Sequence, residues 1–326
     1  MILVTGGAGY IGSHAVKELV KSGHRVVVLD NLSTGHRAAV DKKAIFCPGD
    51  LHDLKFIHDI FGEYPIELVM HFAAHSIVPQ SMQEPLLSYR NLNCTINLLE
   101  AMLKAGVRKL VFSSTAAVYG EPLETPIPEN HPLKPTNPYG QSKAWIEAIL
   151  EQLHRANGLD YISLRYFNAA GADPEGELGE EHHPETHLIP IILKAALQGE
   201  EVSVFGSDYP TKDGTPVRDY IHVSDLISAH LLAMEALLQG RKQREIYNLG
   251  HQRGYSVLEV IDAARQVTGL DIPYRMADRR PGDPSTLVAS SAKIKAELGW
   301  EPRYSDLQTI IATAWEWVRQ HPRGYA

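Results

Sequence analysis

Short apolar runs alternate with amphipathic stretches along the first half of the chain. Buried strands are predicted at residues 2–5, 25–29, 44–47, 68–72, 109–113 and 161–166. Between them, apolar positions recur with helical spacing at residues 11–21, 54–61, 85–105 and 138–156. This alternation predicts an α/β fold with helices on both faces of a doubly wound parallel sheet of the Rossmann type.

The regular alternation stops after Phe167. The segment from Gly171 to Pro190 is rich in Gly, Pro, Glu and His, and the later elements follow in a less regular order. The strand-like residues Ile246 to Leu249 are expected to return to the sheet. The pattern therefore predicts a first domain over residues 1–168 with a return segment near 215–250, and a smaller, interleaved second domain made mainly from residues 169–326.

Charge and cysteine content narrow the class of protein. Lys and Arg number 31 against 39 Asp and Glu, so the formal charge is −8, and a nucleic-acid partner is not expected. We find neither a basic leader nor an apolar window of membrane-spanning length, so no membrane partner is expected either. With Cys47 and Cys94 as the whole cysteine content, a disulfide framework is not expected, and a cytoplasmic location fits.

A glycine-rich segment follows the first predicted strand and opens the first predicted helix. Gly6, Gly9 and Gly12 allow a tight turn, and the N–H groups at the helix start can face a pyrophosphate. Asp30 ends the second predicted strand, where a carboxylate can accept hydrogen bonds from a ribose. Because Asp30 would repel a 2′-phosphate, and Arg37 is the one obvious counter-charge nearby, the pattern predicts NAD rather than NADP as cofactor.

Tyr139 and Lys143 are four positions apart in a predicted helix, so both project from one face. Asn137 is suited to cap that helix and Pro138 to begin it. A neighbouring ammonium and the helix dipole favour the phenolate, so Tyr139 is a candidate base. The alternative is an ordinary Tyr and Lys on a helix surface.

Thr115 follows the fifth predicted strand, where ligands of such sheets bind. Its hydroxyl could donate to a substrate oxygen that is becoming a carbonyl. The alternative is a hydroxyl that only bonds local backbone.

Taken together, these residues resemble the extended short-chain dehydrogenase/reductase family, and within it the branch that inverts carbon 4 of UDP-hexoses. The similarity runs nearly end to end. It includes the glycine segment, the Ser113-Ser114-Thr115 strand end, Tyr139 with Lys143, and the segments 30–32, 71–74, 165–168, 205–211, 217–223 and 247–250.

The resemblance implies roles for individual residues. It implies Tyr139 as the acid and base, Lys143 as its pKa partner and ribose anchor, and Thr115 as the third catalytic residue, where many relatives carry Ser. Cofactor contacts are implied at Tyr10, Ile11, Asp30, Asn31, Asp50, Leu51, Phe72, Ala73, Ala74, Asn91 and Phe167. Substrate contacts are implied at Thr115, Asn168, His187, Leu188, Phe205, Arg218, Tyr220, Arg280, Asp283 and Leu287, with relatives carrying Asn at the position of His187.

The implied reaction interconverts UDP-glucose and UDP-galactose through a 4-keto sugar, with NAD bound tightly throughout. Arg218 and Arg280 suit a diphosphate, which guanidinium groups bind in paired geometry. Relatives carry either a bulky Tyr or a smaller residue at the position of Leu287, so UDP-N-acetylhexosamines are possible further substrates; the alternative is an apolar filler. In the family, the helices at 85–105 and 138–156 form a homodimer interface, and Trp145, Ile149 and Leu150 are candidate contacts. The alternative is that these helices pack only against the sheet.

The same sequence allows three other interpretations of its function or sites. A sugar-nucleotide dehydratase needs an extra acid or base beside the strand-end hydroxyl, but Ala116 and Ala117 follow Thr115. A non-catalytic dinucleotide sensor would lack the Tyr-Lys pair. A metal site among the residues 180–187 is not expected, because Pro184 interrupts the helix that would align His183 with His187. A loop near the substrate is the expected structure there.

Overall fold

The computed structural model describes residues 1–280 and 282–325, which form two compact units. Unit 1 comprises residues 1–119, 133–165 and 227–247, and unit 2 comprises 120–132, 166–226 and the residues from 248 on. Both units are interleaved in sequence. The predicted boundary at residue 168 lies three positions beyond the Arg165 at which the second segment of unit 1 ends.

The elements follow the βα alternation that the sequence predicts. The strands are β1 Ile2–Thr5, β2 Val26–Asp30, β3 Ile45–Pro48, β4 Leu68–His71, β5 Lys109–Ser113, β6 Asp160–Tyr166, β7 Asn168–Ala170, β8 Val202–Phe205, β9 Val217–His222, β10 Arg244–Leu249, β11 Gly254–Ser256, β12 Tyr274–Ala277 and β13 Thr286–Leu287. The α-helices are α1 Tyr10–Lys21, α2 Leu54–Glu63, α3 Val78–Gln83, α4 Pro85–Lys104, α5 Pro138–Asn157, α6 Leu188–Gln198, α7 Val223–Leu238, α8 Val257–Thr268, α9 Ala292–Leu298 and α10 Leu307–Gln320. Short 3₁₀ helices lie at Arg37–Ala39 and Ala116–Val118.

A seven-stranded sheet in the order β10-β6-β5-β4-β1-β2-β3 dominates unit 1. The pairings from β6 to β3 are parallel, as predicted. Thr5 is in register with both Leu29 and His71, so the chain leaves β1, β2 and β4 at one edge of the sheet. The glycine segment, Asp30 and the residues after β4 are therefore neighbours.

The central strands have continuous apolar sequences because both of their faces are buried. Every residue of β1, β2 and β4 is buried, because helices cover both faces. The core of unit 1 includes Leu3, Val69 and Leu110 together with helix residues such as Ile146.

Unit 2 is built from small sheets and three packed helices. Strands β11, β9 and β13 form one sheet, with β7 also paired to β9, and β12 pairs with β8. Helices α6, α8 and α10 pack together through a core that includes Ile192, Val260 and Ile310. In the described part of the chain, no helix has both the length and the hydrophobicity needed to cross a bilayer.

Candidate active site

The glycine segment forms a tight turn in which there is no room for larger residues. Gly6 has φ +73°, and a Cβ there would lie 2.6 Å from the backbone nitrogen of Ala73. A Cβ on Gly12 would lie 2.1 Å from the carbonyl oxygen of Gly6. Gly9 precedes α1 without a side-chain cap, so the first N–H groups of the helix are left for an anion. This loop fits the pyrophosphate of a dinucleotide.

Asp30 occupies the position that a dinucleotide ribose requires. Its Oδ2 accepts the N–H of Ala8 at 2.9 Å and its Oδ1 the N–H of Leu32 at 2.8 Å, and each oxygen keeps a further lone pair for a hydroxyl donor. The guanidinium of Arg37 lies over the Phe46 ring, with Cζ 4.7 Å from its centroid, rather than on Asp30. The residues therefore fit NAD, whose adenosine ribose carries free hydroxyl groups.

The other predicted cofactor residues of unit 1 lie along the same edge of the sheet. Asn31 donates to Asp50 at 2.7 Å, and this bond with those from His52 outweighs burial and lowers the pKa of Asp50 to about 2. The N–H groups of Phe72 and Ala73 both donate to the carbonyl of Thr5, and Ala74 follows. The remaining predicted positions are Tyr10 and Ile11 in the first turn of α1, Leu51 beside Asp50, and Asn91 on α4.

The Asn91 side chain makes two hydrogen bonds to the backbone of His75, which the sequence alone did not predict. Its Oδ1 accepts the N–H of His75 at 2.8 Å, and its Nδ2 donates to the carbonyl of His75 at 3.1 Å. The side chain thus fixes the loop after β4, so it would position Phe72 to Ala74 in addition to any contact with NAD.

Tyr139 and Lys143 lie on the first turns of α5, as predicted. Asn137 caps the helix by accepting the N–H of Gly140 at 2.8 Å. Lys143 is 2% exposed; its Nζ donates to the carbonyl of Ser113 at 2.8 Å and lies 5.9 Å from the centroid of the Tyr139 ring. Burial lowers the pKa of Lys143 to about 7, with the nearby Glu147 acting in the opposite direction.

Thr115 is buried at the end of β5, and its hydroxyl oxygen accepts the N–H of Ala117 at 3.1 Å. The local bond that the sequence left as an alternative is therefore present. It uses the oxygen as an acceptor, which leaves the O–H hydrogen to be donated to a ligand. Ala116 and Ala117 place no acid or base beside it.

Sequence reasoning missed the buried polar contacts that hold α5 against the sheet. The Glu147 carboxylate accepts from Arg165 Nε at 2.9 Å and Nη2 at 2.5 Å, and from the Ser114 hydroxyl at 2.5 Å. Arg165 also donates to the Tyr119 hydroxyl at 2.8 Å. Since Glu147 lies one helical turn beyond Lys143, this ion pair positions the face that carries Tyr139.

His71 is a second buried polar group, at the end of β4. Its Nδ1 lies 2.6 Å from the Thr5 hydroxyl and its Nε2 3.0 Å from the Thr95 hydroxyl. Burial, with a smaller effect of the Lys143 charge, lowers the pKa of His71 to about 3. The imidazole is therefore a neutral link between β1, β4 and α4.

Unit 2 contains the predicted substrate residues other than Thr115, together with the predicted cofactor contact Phe167. On its central sheet, Asn168 is in register with Tyr220, and Leu287 with Arg218. Arg218 Nη2 lies 3.8 Å from Asp283 Oδ1. The Arg280 guanidinium stacks on Phe205, with Cζ 3.9 Å from the ring centroid. His187 caps α6 and Leu188 begins it.

The loop before α6 brings together more side chains than expected. His187 Nδ1 is hydrogen-bonded to Glu180, and the rings of His182 and His187 meet edge to face. Burial disfavours the charged form of His182, but bonds and charges from Glu180 and Glu185 prevail and raise its pKa to about 10. The prediction of a loop is correct, but an unbroken helix is not needed to bring these side chains together.

Comparison with known proteins identifies the family. The model of the "NAD dependent epimerase/dehydratase family" matches residues 2–250. The chain belongs to this family. A "UDP-glucose 4-epimerase" of Lacticaseibacillus casei is 54% identical over 99% of this chain and 98% of that protein.

Solved structures agree with this membership of the NAD-dependent epimerase/dehydratase family. A crystal structure of a UDP-glucose 4-epimerase has a TM-score of 0.96 and 51% identity, covering 100% of this chain and 99% of the other. The Bifidobacterium longum UDP-glucose 4-epimerase "in complex with NAD+ and UDP" has a TM-score of 0.95 and 39% identity, covering 99% of each chain. The predicted family, fold, epimerase class and NAD cofactor are confirmed.

Proposed function

We propose that this enzyme interconverts UDP-glucose and UDP-galactose by inverting carbon 4 of the hexose through a transient 4-keto sugar. The observation that carries the proposal is the cluster at the end of β5, where Tyr139 and Lys143 on α5 lie with the Thr115 hydroxyl in unit 1. Bound NAD supplies a reversible acceptor for the hydride of carbon 4. The protein's own groups handle the proton and hold the nucleotide.

Tyr139 is the acid and base. Its phenolate takes the proton of the sugar 4-hydroxyl and later returns it to the opposite epimer. Lys143 stabilises the phenolate by its charge and by anchoring the nicotinamide ribose. Thr115 donates its hydroxyl hydrogen to the sugar oxygen as that oxygen becomes a carbonyl.

Unit 2 anchors the UDP portion. Arg218 and Arg280 pair with the diphosphate, and Asp283 accepts from the ribose. Asn168, His187, Leu188, Phe205 and Tyr220 supply the remaining contacts. A substrate held by its nucleotide leaves the 4-keto hexose free to turn and present its other face, which is how one enzyme forms both epimers.

The variant Tyr139→Phe tests this assignment. Removing the hydroxyl should lower the rate of UDP-galactose formation by about 100-fold or more, with bound NAD retained. Tyr89→Phe is the matched control, because that ring also loses only a hydroxyl and keeps its tilted contact with Trp145, 5.3 Å between the ring centroids. A Tyr139→Phe enzyme as active as the Tyr89→Phe enzyme would exclude the phenol as the base.

Acceptance of UDP-N-acetylhexosamines is a second candidate activity, and it rests on Leu287. This half-buried residue on β13 is paired with the diphosphate candidate Arg218. Leu is smaller than Tyr, so space remains for an acetamido group at carbon 2. We expect turnover of UDP-N-acetylglucosamine by the wild-type enzyme, loss of that turnover in Leu287→Tyr with UDP-glucose still used, and no change in Leu287→Met, which conserves volume. Lack of any turnover by the wild-type enzyme would contradict this.

A cytoplasmic homodimer is the proposed working form. Both cysteines are free, which suits a reducing compartment. Helices α4 and α5 pack together and expose Leu86, Ile96 and Trp145. Of the predicted contacts, Leu150 is fully buried in the core of unit 1 and is corrected to a packing residue. Light scattering of the purified enzyme tests the dimer.

A further inference from the structure

Four side chains converge in unit 2 between the end of β7 and the start of α6. One ligand atom from each of Glu180, His182, Glu185 and His187 can be chosen so that all four lie within 4.8 Å of one another. His182 Nδ1 lies 3.4 Å from Glu180 Oε1 and 3.7 Å from Glu185 Oε2, and His187 Nδ1 lies 3.8 Å from Glu185 Oε1. Two imidazoles and two carboxylates thus surround one point.

The backbone holds Glu185 so that one oxygen faces this cluster. Its Oε1 accepts the N–H of Thr186 at 2.8 Å and of His187 at 3.0 Å. Its Oε2 is buried and makes no hydrogen bond among the described residues, and its side chain is only 8% exposed. The nearest cationic neighbour of Oε2 is His182 Nδ1 at 3.7 Å, beyond hydrogen-bond distance, so this buried oxygen can still serve as a metal ligand beside that imidazole.

We propose that Glu180, His182, Glu185 and His187 bind a divalent first-row transition metal, with Zn²⁺ the best match. Zinc binds His nitrogen and carboxylate oxygen at about 2.0–2.2 Å in a tetrahedron, which places its ligand atoms roughly 3.3–3.6 Å apart. The separation of His182 Nδ1 from Glu180 Oε1, 3.4 Å, lies within this range, and the 3.7 Å from His182 Nδ1 to Glu185 Oε2 lies just above it. The hydrogen-bonded pair of His187 and Glu180 has to open slightly, exchanging its bond for two bonds to the metal.

Charge and ligand type favour the same class of ion. Two carboxylates neutralise a divalent cation, and His182, whose pKa is raised to about 10 without the metal, releases its proton on binding so that both imidazoles are neutral ligands. Mg²⁺ and Ca²⁺ prefer sites made of oxygen ligands, whereas imidazole suits zinc and its neighbours. Four protein ligands leave no open position, so the metal is structural rather than catalytic.

The metal would fix the loop to the start of α6 and would orient His187, which is also a predicted substrate contact. His187 is the N-cap of that helix, so a metal bound at its Nδ1 anchors the loop to the helix. Coordination at Nδ1 places the ring proton on Nε2, which becomes a donor of fixed orientation. Only this last consequence rests on the proposed function of His187 as a contact to the UDP-sugar.

Metal binding is measured directly on the NAD-containing enzyme after treatment with a chelator. Titration with Zn²⁺ should give about one ion per chain, and Co²⁺ should give the intense visible absorption of a tetrahedral site. His182→Asn and Glu185→Gln should each weaken Zn²⁺ binding by at least about 100-fold. His183→Asn is the matched control, because that side chain is 74% exposed, pairs with Glu181 and is not part of the cluster; it should bind Zn²⁺ as tightly as the wild type.

The inference is overturned if wild-type enzyme binds Zn²⁺ no more tightly than the two ligand variants, if Co²⁺ gives no tetrahedral spectrum, or if His183→Asn loses the ion equally. A wild-type enzyme that binds no Zn²⁺ overturns the inference even if a ligand variant fails to fold. None of these readouts uses turnover. An enzyme that binds Zn²⁺ as expected but does not epimerise UDP-glucose would contradict the proposed function and leave the metal site standing.

Discussion

At the residue scale, burial in unit 1 disfavours the charged forms of several basic side chains, among them Lys143 and His71. Lys143 and His71 are both almost fully buried, and both have a lowered pKa. For Lys143, whose Nζ lies 5.9 Å from the centroid of the Tyr139 ring, the proposed role is to stabilise the phenolate by its charge. For His71, the lowered pKa makes the folded protein less stable as the pH falls.

The free energy of unfolding should fall in acid because of His71. The unfolded chain protonates this imidazole below about pH 6.5, whereas burial between Thr5, Thr95 and Phe112 lowers its folded pKa to about 3. Between these values the unfolded state binds more protons, so stability is lost as the pH falls. From about pH 8 to about pH 5 this contributes about 2 kcal/mol.

Thermal unfolding of His71→Asn measures that contribution. Asn cannot titrate, so its melting temperature should fall less between the two pH values than that of the wild type, whatever its stability at the higher pH. The exposed His183→Asn should fall as much as the wild type. An equal fall in His71→Asn would show that this imidazole is not held neutral.

The positions of single site residues could be predicted where the residues belong to one short sequence motif. The glycines, Asp30, and Tyr139 with Lys143 lie at fixed offsets from strand ends and a helix cap, so their placement follows from the motif. Glu147 and Arg165 were missed because they are 18 positions apart. Their pairing depends on which face of α5 meets β6, and no local pattern encodes that.

At the element scale, α5 carries the proposed catalytic residues Tyr139 and Lys143, and its ion pairs differ in burial along its length. Glu147 and Arg165 are 4% and 3% exposed, whereas Glu151, one turn further on, is 29% exposed and pairs with Arg155 and Arg244 at the surface. Removing one partner of a buried pair leaves a charge without compensation, while exposed pairs contribute little.

Glu147→Gln should therefore destabilise the protein by about 3–5 kcal/mol, and Glu151→Gln by about 1 kcal/mol or less. Denaturant unfolding of the two variants against the wild type provides the comparison. Equal losses would mean that α5 is not held by its buried ion pair.

Element bounds were predictable where caps can be read from sequence. The helix predicted at 138–156 is observed at Pro138–Asn157, because Asn137 caps it and Gly158 ends it with φ +67°. Strand β5 lies at its predicted residues 109–113. By contrast, β7 and β13 have three and two residues, too few to show any periodicity, and they form only because each pairs with β9.

At the scale of the whole molecule, the chain forms two compact units, and each unit is assembled from three separate segments of the sequence. The return of residues 246–249 to the sheet was expected, and β10 lies beside β6 at the sheet edge. The membership of residues 120–132 in unit 2 was not expected, since their strand-like contact, Ile127 with Ala289, joins residues far apart in sequence. Contacts of this kind depend on the folded topology.

In the proposed mechanism, the hydrogen leaving carbon 4 returns to the same carbon without reaching water, while Tyr139 moves only the hydroxyl proton. UDP-glucose carrying deuterium at carbon 4 tests this most directly, by NMR of the UDP-galactose formed in ordinary water. Hydride transfer predicts that the product keeps the deuterium at carbon 4. Replacement of that deuterium by protium from the solvent would contradict it, because the inversion would then proceed by proton exchange rather than by hydride transfer.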